Sequence, residues 1–564
     1  MMNRRGFLQA TGAAAPAPLV AASAGARADS DADAAVTDAD EPRVFVREDF
    51  HHLSVLTPPL TRADVTKTVD LLEGTSVNTL IFSLGSRGGM CLYDTHVGQM
   101  HSENVDRWNH AVHYRDALHI RQLVAEGWDR PQLFCDRCHE NGLLFLASAP
   151  LNIGAYTTEA VRGTGRTSDF VFDNPQLRVG PDDDPRAEHV SPTRMNFMYP
   201  AVREERLRIY EELLTRYETD GIEVQSEVLP ICKYSEAARC APLLTAWLRQ
   251  LRTIAKTAEQ SQGRRKRIYY RVPADPEVWK TVGFDVARWI SEQLVDGLIC
   301  ASNESEVLDQ DLDLSEVVAL SDGSSCRVLV DCGTTLQKRI GNKATPEMIW
   351  AAAANALHQG AVGLGLNEMV RSQELSLLGD MYRTLRLLGS PDLLATADKT
   401  YHVRDLPRDP QSYVTGLPGT KPPLPRLLKE GLTQSIPLRI ADNLKHWHEV
   451  GRVKAVRLRV RISNIEPSTN EVSFTLNGQA LEETDLEITD LTYRFINEGV
   501  AYQGSQIYEF ILNPDNLPVP GTNHVGITLT GRDPAVDLEF HIADVDCTIE
   551  YRQHRNFRRN PIEY

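Results

Sequence analysis

The chain has 564 residues, too many for one hydrophobic core, so its length predicts two or three domains. With 42% hydrophobic and 24% charged residues, its composition is that of a soluble globular protein and argues against a disordered or membrane-embedded class. The formal net charge of -17 opposes binding to nucleic acid and to anionic lipid, and it fits a neutral or cationic ligand or simply solubility.

The N-terminal segment resembles a twin-arginine signal peptide. Residues 3–9 read NRRGFLQ, and a weakly apolar stretch then leads to an A-x-A cleavage site, Ala26-Arg27-Ala28. We therefore expect residues 1–28 to be removed and the mature protein to be exported, to the periplasm or the medium. No later stretch has about 18 uninterrupted apolar residues, so no transmembrane helix is expected. An acidic linker is predicted at residues 29–45.

Nine cysteines leave at least one thiol unpaired, and most of them lie in apolar segments where buried free thiols are expected. Cys135 to His139 matches the C-x-x-C-H pattern of c-type haem attachment. The same residues are typical of a helix end capped by Gly142, before a strand, and haem would force that helix off its sheet. No second Cys/His pair has zinc spacing. We therefore expect no cofactor and no metal.

Eight short apolar runs alternate with amphipathic segments over residues 46–400. The predicted strands are residues 52–56, 78–83, 143–147, 221–225, 268–272, 297–301, 327–331 and 361–366. Helix signals between them include a capping box at Thr61 and an N-cap at Thr345 followed by proline. This alternation predicts an α/β fold, a closed (β/α)8 TIM-type barrel. An open doubly wound sheet is the alternative, disfavoured because no glycine-rich phosphate loop follows a strand.

The pattern changes from residue 437 onward. Residues 453–462 alternate apolar and polar side chains, and residues 472–476, 524–529 and 547–551 are further predicted strands, with a turn at Asn477-Gly478. Short strands with polar turns and no helix predict an antiparallel β-sandwich at residues 437–564. A proline-rich linker is predicted at residues 401–436.

Acidic residues follow several predicted strands, at the end of the barrel where active sites form. Glycoside hydrolysis needs two carboxyl groups on either side of one bond. Because Glu223, Gln225 and Glu227 share one face of the fourth strand, Glu227 is nearest the mouth and is the predicted general acid. Its candidate partners are Glu368, Asp331 and Glu304. The same criterion gives candidate substrate-binding residues, which are Glu223, Gln225, Tyr269, Arg271, Asn152, Asp94, His96 and Asn367.

The fourth-strand segment, residues 220–230 (DGIEVQSEVLP), resembles two family patterns. It is similar to the D-G-x-D-x-D-x-E strand of family-18 chitinases, which implies the acid role for Glu227. It also resembles the D-G-I-x-L-D-Y-x-R-x-P strand of the glycosyl-hydrolase-like barrel proteins, with Gln225 in place of the aspartate. Residues 139–143 and 294–298 resemble that second family too. Over residues 46–395 the resemblance implies a glycoside-hydrolase-type barrel.

Gln225 keeps more than one function open, because an amide cannot ionise and cannot act as a base. The first hypothesis is an exported glycoside hydrolase with a carbohydrate substrate. The second is a barrel that binds glycans and has lost its catalytic acids. A third, metal-dependent hydrolysis, would use residues such as His51, His52, Asp94 and His96, and it ranks last because no ligand set at metal spacing supports it.

Overall fold

The computed structural model describes residues 41–49, 51–154, 162–182, 184, 187, 193–226, 230–302, 307–336, 343–370, 379–405, 421–490, 504–554 and 556. The predicted signal peptide and most of the predicted acidic linker lie outside these residues. Two of the predicted catalytic acids, Glu227 and Glu304, also lie outside them.

Eight parallel strands close into a barrel in which each strand pairs with the next and β8 pairs with β1. The strands are β1 (Val44–Glu48), β2 (Thr79–Ser83), β3 (Leu144–Pro150), β4 (Gly221–Gln225), β5 (Arg267–Pro273), β6 (Gly297–Ala301), β7 (Arg327–Asp331) and β8 (Gly363–Asn367). The predicted (β/α)8 barrel is confirmed. Predicted strands two to eight overlap the observed strands, and three of them have the observed bounds.

The first strand lies earlier in the chain than predicted. Residues 52–56 are not a strand, because His51–Ser54 form a short helix, and β1 is the preceding run Val44–Glu48. The side chain of Asp49 accepts the N–H of His51 at 2.8 Å, which turns the chain into this helix directly after β1. The correction moves Asp49 and His51 from the entry of the first strand to its carboxyl end.

Helices surround the barrel and cover its apolar outer face. They are α1 (His51–Ser54), α2 (Arg62–Asp70), α3 (Ala111–Ala125), α4 (Arg130–Glu140), α5 (Asp169–Asp173), α6 (Pro200–Thr215), α7 (Ala237–Gln262), α8 (Pro276–Val282), α9 (Val286–Ser291), α10 (Ser315–Ser321), α11 (Pro346–His358), α12 (Gly379–Leu388) and α13 (Pro391–Leu394). The predicted capping box is present, since Thr61 and Asp64 bond each other's N–H groups. Short 3₁₀ turns occur at Pro175–Leu177 and Tyr234–Glu236.

Alternate residues of each strand fill the barrel interior in layers. The middle layer is apolar and consists of Phe45, Ile81, Leu146, Tyr269, Ile299 and Leu329. Tyr269 was predicted to bind substrate, but it is fully buried in this layer, because it lies two residues before the inward-facing Arg271. Glycines on β6 and β8 make room for the rings, and a Cβ on Gly365 would lie only 2.0 Å from the ring of Phe45.

Two antiparallel sheets share a second core and form the predicted β-sandwich. The larger sheet has the order β10-β18-β12-β16-β15, with β9 also paired to β18, and the smaller has the order β11-β17-β13-β14. The strands are β9 (Lys399–His402), β10 (Arg426–Leu427), β11 (Gln434–Ile440), β12 (Val453–Ser463), β13 (Glu471–Leu476), β14 (Gln479–Ala480), β15 (Leu486–Asp490), β16 (Ser505–Ile511), β17 (Gly521–Gly531) and β18 (His541–Tyr551).

The sandwich differs from the sequence prediction in two details. It contains a short helix, α14 (Leu444–Glu449), where only strands and turns were expected, and its start is capped by the Asn443 side chain. Strand β10 lies within the segment predicted as a linker, and β9 crosses the start of that segment. Short 3₁₀ turns occur at Glu483–Asp485 and Pro514–Asn516. Asn477 and Gly478 both have positive φ, so the predicted turn joins β13 to β14.

The two cysteines of the haem-like motif have no solvent-accessible thiol. Cys135 and Cys138 are both buried in α4, and burial raises the pKa of both thiols. His139 is held by the carboxylate of Asp220, whose Oδ2 lies 2.9 Å from its Nε2. Among the described residues, every helix is too short or too polar to cross a membrane.

Candidate active site

A buried ionic network occupies the interior layer above the apolar one. The Nε of Arg271 donates to Glu223 at 2.7 Å, and its terminal nitrogen donates to Asp331 at 2.6 Å. The other oxygen of Glu223 accepts from Ser148 at 2.6 Å and from Arg47 at 3.3 Å. These residues belong to β1, β3, β4, β5 and β7, so the network ties the barrel together across its interior.

Three predicted site residues, Glu223, Arg271 and Asp331, are bonded to one another in this network. Burial by itself would raise the pKa of Glu223, but Arg271 and Arg47 outweigh burial and hold this pKa below its ordinary value. Burial raises the pKa of Asp331, an effect that Arg271 only partly offsets. Because both oxygens of Glu223 are already bonded, Glu223 and Arg271 act in the structure as an internal ion pair.

Asp49, His51 and Glu368 converge at the mouth, where the first and last strands meet. Asp49 directly follows β1 and Glu368 directly follows β8, and the N–H of Glu368 donates to the carbonyl of Arg47 at 2.8 Å. One side-chain atom of each residue, a carboxylate oxygen or a ring nitrogen, lies within 4.8 Å of the others. The ring of His51 is 2.6 Å from the carboxylate of Asp49 and 51% exposed, so solvent reaches the group.

Glu48 holds the strand end that carries Glu368. One oxygen of its buried carboxyl accepts the N–H groups of Met369 and Val370 at 2.7 and 3.0 Å. Glu368 itself has a φ of 50°, a left-handed conformation that costs energy for any residue with a Cβ. Glu48 therefore fixes the backbone immediately after Glu368 and keeps this conformation in place.

Neighbouring groups set the charge at the mouth. Burial opposes ionisation of Asp49, but the hydrogen bond and charge of His51 lower the pKa of Asp49 below its ordinary value. The same hydrogen bond raises the pKa of His51, although burial and the nearby Arg166 oppose this. Burial raises the pKa of Glu48, and Glu368 adds to the effect. At the mouth, the lowered pKa of Asp49 favours its ionised form, and the raised pKa of His51 favours its protonated form.

The remaining predicted residues fall into two groups. Asn152, Gln225 and Asn367 lie buried at the carboxyl ends of β3, β4 and β8, on the same side of the barrel as Glu368. The hydroxyl of Ser83 donates to the amide oxygen of Gln225 at a long 3.5 Å. These three amides lie near the mouth, and their role in substrate binding stays a prediction.

Asp94 and His96 are not brought to the mouth. The carboxylate of Asp94 lies 3.2 Å from Arg216, and the N–H of His96 donates to Glu212 at 2.6 Å. Glu212 lies in the last turn of α6, and Arg216 directly follows that helix, which leads into the amino end of β4. The part of the loop after β2 that contains Asp94 and His96 therefore lies outside the barrel, away from the mouth. The side chain of His96 is 66% exposed there.

Sequence reasoning missed Asp49 and Glu48 as site residues and left His51 at the wrong end of its strand. The signal was present in Val44-Phe45-Val46, a run of strand-forming residues. The predicted linker took in Val44 and Phe45, and the first strand was placed at residues 52–56, so Glu48 and Asp49 were not counted among the acids that follow a strand.

The three groups at the mouth have two chemical capacities. Two carboxylates this close can serve as nucleophile and acid in substitution at a sugar carbon. Two carboxylates and an imidazole could also hold a divalent cation, since each offers one ligand atom. Catalysis by the carboxylates and binding of a cation both require a polar position that solvent can reach, and Asp49, His51 and Glu368 occupy such a position.

Comparison with known proteins gives distant likenesses. No protein-family model matches the sequence, and no curated protein matches it significantly. Among solved structures, the chain is similar to α-L-fucosidase isoenzyme 2 from Paenibacillus thiaminolyticus, with 12% identity and a TM-score of 0.40, over 62% of this chain and 49% of that one. A cycloisomaltooligosaccharide glucanotransferase from Paenibacillus sp. gives 12% identity and a TM-score of 0.33, over 91% of this chain and 58% of that one.

A third similar structure is the glycoside hydrolase domain of PgaB (BpsB) from Bordetella bronchiseptica, with 13% identity and a TM-score of 0.37, over 58% of this chain and 94% of that one. The chain spans about half the length of the fucosidase and glucanotransferase chains. At such identities the likeness concerns the fold. The observed fold, a (β/α)8 barrel followed by a β-sandwich, is the one that the sequence resemblance predicted.

Proposed function

We propose that the protein is a glycoside hydrolase whose catalytic carboxylates are Asp49 and Glu368. The observation that carries this proposal is their separation, since their oxygens lie within 4.8 Å at the mouth of the barrel. Retaining glycosidases hold their two carboxyl groups about 5 Å apart, whereas inverting enzymes leave roughly 6.5–9.5 Å for a water molecule. The geometry supports a retaining, double-displacement reaction on a carbohydrate.

Asp49 is the proposed nucleophile, because His51 orients its carboxylate through the ring and the backbone N–H. In the first step Asp49 attacks the anomeric carbon while protonated Glu368 gives its proton to the departing glycosidic oxygen. In the second step Glu368 takes a proton from water, and that water displaces Asp49 from the sugar. The proton and the carboxylate are both restored at the end of the cycle.

Glu227, the general acid predicted from the sequence, is the rival candidate for the acid role of Glu368, and Glu304 stays a candidate partner of Glu227, so a Glu227 variant belongs in the test. The test measures hydrolysis of aryl glycosides and polysaccharides by the wild type and by Asp49→Asn, Glu368→Gln and Glu227→Gln. Loss of a general acid or nucleophile lowers the rate by at least about a hundredfold. Glu140→Gln, which changes an exposed acid at the end of α4, is the matched control and keeps the full rate.

The two proposed roles differ in a measurable way. Glu368→Gln retains hydrolysis of aryl glycosides with very acidic leaving groups, because these depart without a proton, whereas Asp49→Asn loses it. Equal activity of Asp49→Asn and wild type would refute the assignment. Absence of hydrolysis by the wild type, with glycan binding that survives all three substitutions, would leave the second hypothesis, a barrel that only binds glycans.

The ligand-like spacing of Asp49, His51 and Glu368 favours one alternative, metal-assisted hydrolysis. Under that alternative His51→Ala abolishes activity, EDTA abolishes it too, and a divalent cation restores it. Under the proposed mechanism EDTA has no effect, and His51→Ala changes the rate far less than Asp49→Asn does.

Export through the twin-arginine route is part of the proposal. Its support is the NRRGFLQ motif and the A-x-A site, both within residues 1–28. A carbohydrate-active enzyme placed outside the cytoplasm meets polymers too large to enter the cell. Fractionation of cells that produce the full chain tests this part, and a chain retained uncleaved in the cytoplasm would contradict it.

A further inference from the structure

A groove of about 880 Å³ lies between the barrel helices α11–α13 and the ends of β12 and β18 in the sandwich. Four cationic side chains line it, namely Arg383, Arg452, Lys454 and Arg552, against two acidic ones. The chain as a whole carries a net charge of -17, so this groove is a local reversal of the charge of the protein.

Two of these cations are not neutralised by a carboxylate. Lys454 pairs with Glu550, and Arg383 lies 3.7 Å from Glu347. Within the described part of the chain, Arg452 and Arg552 have no carboxylate at ion-pair distance. Asp398 also lines the groove and accepts the N–H of Tyr551 at 2.7 Å, but four cations against two carboxylates leave the groove with a net positive charge.

The Arg452 guanidinium is held in place before any ligand arrives. Its Nε donates to the carbonyl of Arg552 at 2.6 Å, and a terminal nitrogen donates to the hydroxyl of Thr396 at 3.1 Å. The N–H of Arg552 in turn donates to the carbonyl of Arg452 at 2.7 Å. Because these bonds go to neutral oxygens, the positive charge stays available, and little side-chain freedom is lost on binding.

The barrel side of the groove combines Arg383 of α12 with apolar side chains. Leu387 and Leu393 line it, and the side chain of Leu393 is 63% exposed. A ligand that fits this groove therefore combines negative charge with C–H surface that can pack on the two leucines. An oligosaccharide of uronic acids has this character, because each ring presents a carboxylate and apolar faces.

We propose that this groove binds a carboxylate-bearing oligosaccharide, with Arg452 and Arg552 as the residues that recognise its carboxylates. Guanidinium groups bind carboxylates through paired hydrogen bonds, which favours carboxylate over a neutral hydroxyl. The choice of a saccharide rests on the proposed glycosidase function, whereas the negative charge of the ligand rests on the groove alone. The groove would hold an acidic glycan chain beside the barrel.

The test is calorimetric titration of the full chain with tetragalacturonate and with its methyl ester, the same oligosaccharide without charge. Tetragalacturonate binds at least about tenfold more tightly than the ester, since a hydrogen bond to a charged group contributes that much. Arg552→Gln weakens binding of the acid about tenfold and leaves binding of the ester unchanged. Arg452→Gln does the same, and the thermal midpoint checks that both variants are folded.

Arg239→Gln, in an exposed arginine on α7, is the matched control and leaves the affinity for tetragalacturonate unchanged. Equal affinity for acid and ester, or an unchanged affinity in the Arg452→Gln, Arg552→Gln double variant, would overturn the proposal. Inorganic polyphosphate that binds as tightly as tetragalacturonate, through the same arginines, would also overturn it in favour of a general anion site. Binding is measured with Asp49→Asn as well, so loss of hydrolysis and loss of groove binding are separate outcomes.

Discussion

Removal of the Arg271 charge is the most direct perturbation of the barrel interior. Arg271 bonds Glu223 and Asp331 at 2.7 and 2.6 Å, and the side chains of all three residues are at most 4% exposed. Arg271→Met keeps most of the aliphatic bulk and removes the charge. Glu223 retains Arg47 and Ser148, whereas Asp331 loses its ion-pair partner within the described residues.

Breaking a buried ion pair from one side costs about 3–5 kcal/mol, because the remaining charge stays desolvated and unpaired. We expect Arg271→Met to lower the free energy of unfolding of the barrel by about this amount at pH 8. The loss is smaller than the cost of leaving two buried carboxylates without an ion-pair partner, since Glu223 keeps its bond to Arg47 and only Asp331 loses its ion pair.

The destabilisation caused by Arg271→Met is also expected to depend on pH. Burial already raises the pKa of Asp331, and removal of Arg271 raises it further. When the pKa of a carboxyl group is higher in the folded than in the unfolded state, the protein loses stability as the pH rises from the unfolded-state pKa through the folded-state pKa. Below the unfolded pKa of about 4 it is protonated in both states, and the penalty is gone. The destabilisation caused by Arg271→Met is therefore larger at pH 8 than at pH 5.

Urea unfolding followed by tryptophan fluorescence measures this effect, because every tryptophan except Trp447 lies in the barrel region. Arg249→Met is the matched control, since Arg249 also makes two bonds to one carboxylate, of Glu292, but its side chain is 42% exposed. A loss below about 1 kcal/mol in Arg271→Met at pH 8, or an equal loss at both pH values, would refute the charged network.

Two further sets of substitutions test the contacts between the first and last strands. Glu48→Leu leaves the two N–H groups after Glu368 unpaired, which costs about 1–3 kcal/mol and lowers kcat with little change in KM, whereas Glu48→Gln keeps an acceptor and retains activity. Gly365→Ala crowds the ring of Phe45 and costs about 1–3 kcal/mol in urea unfolding. Adding Phe45→Leu recovers most of that loss, and strictly additive losses would contradict this packing.

The number and positions of the barrel strands could be predicted from the second strand onward, because each of these strands is a short, mostly apolar run between polar turns. Such runs are what a parallel strand buried on both faces requires. The prediction for the first strand was wrong because the apolar part of Val44–Glu48 is only three residues long and is followed by Arg47 and Glu48, and the predicted linker boundary at residue 45 cut through it. Those two charges are tolerated because Arg47 bonds Glu223 and the Glu48 carboxyl accepts two backbone N–H groups.

The role of Glu223 could not be predicted, because it depends on which charges lie at the same height on other strands. Alternation along β4 correctly places Glu223 on the inner face. It does not show that Arg271 and Arg47 reach the same level and occupy both carboxylate oxygens. Glu223 faces inward, but with both of its oxygens bonded to side chains of other strands it is a weaker catalytic candidate than the solvent-accessible pair at the mouth.

The position of Glu368 depends on one backbone angle more than on strand periodicity. Along β8 the inward residues are Gly363, Gly365 and Asn367, so a continued strand would turn Glu368 away from the interior. A φ of 50° breaks this alternation and brings its carboxylate to Asp49 on the neighbouring strand. Glu48 stabilises that angle from β1, the strand that also leads to Asp49. The two carboxylates are therefore positioned by the closure of the barrel itself, which is why they lie close together although one follows the first strand and the other follows the last.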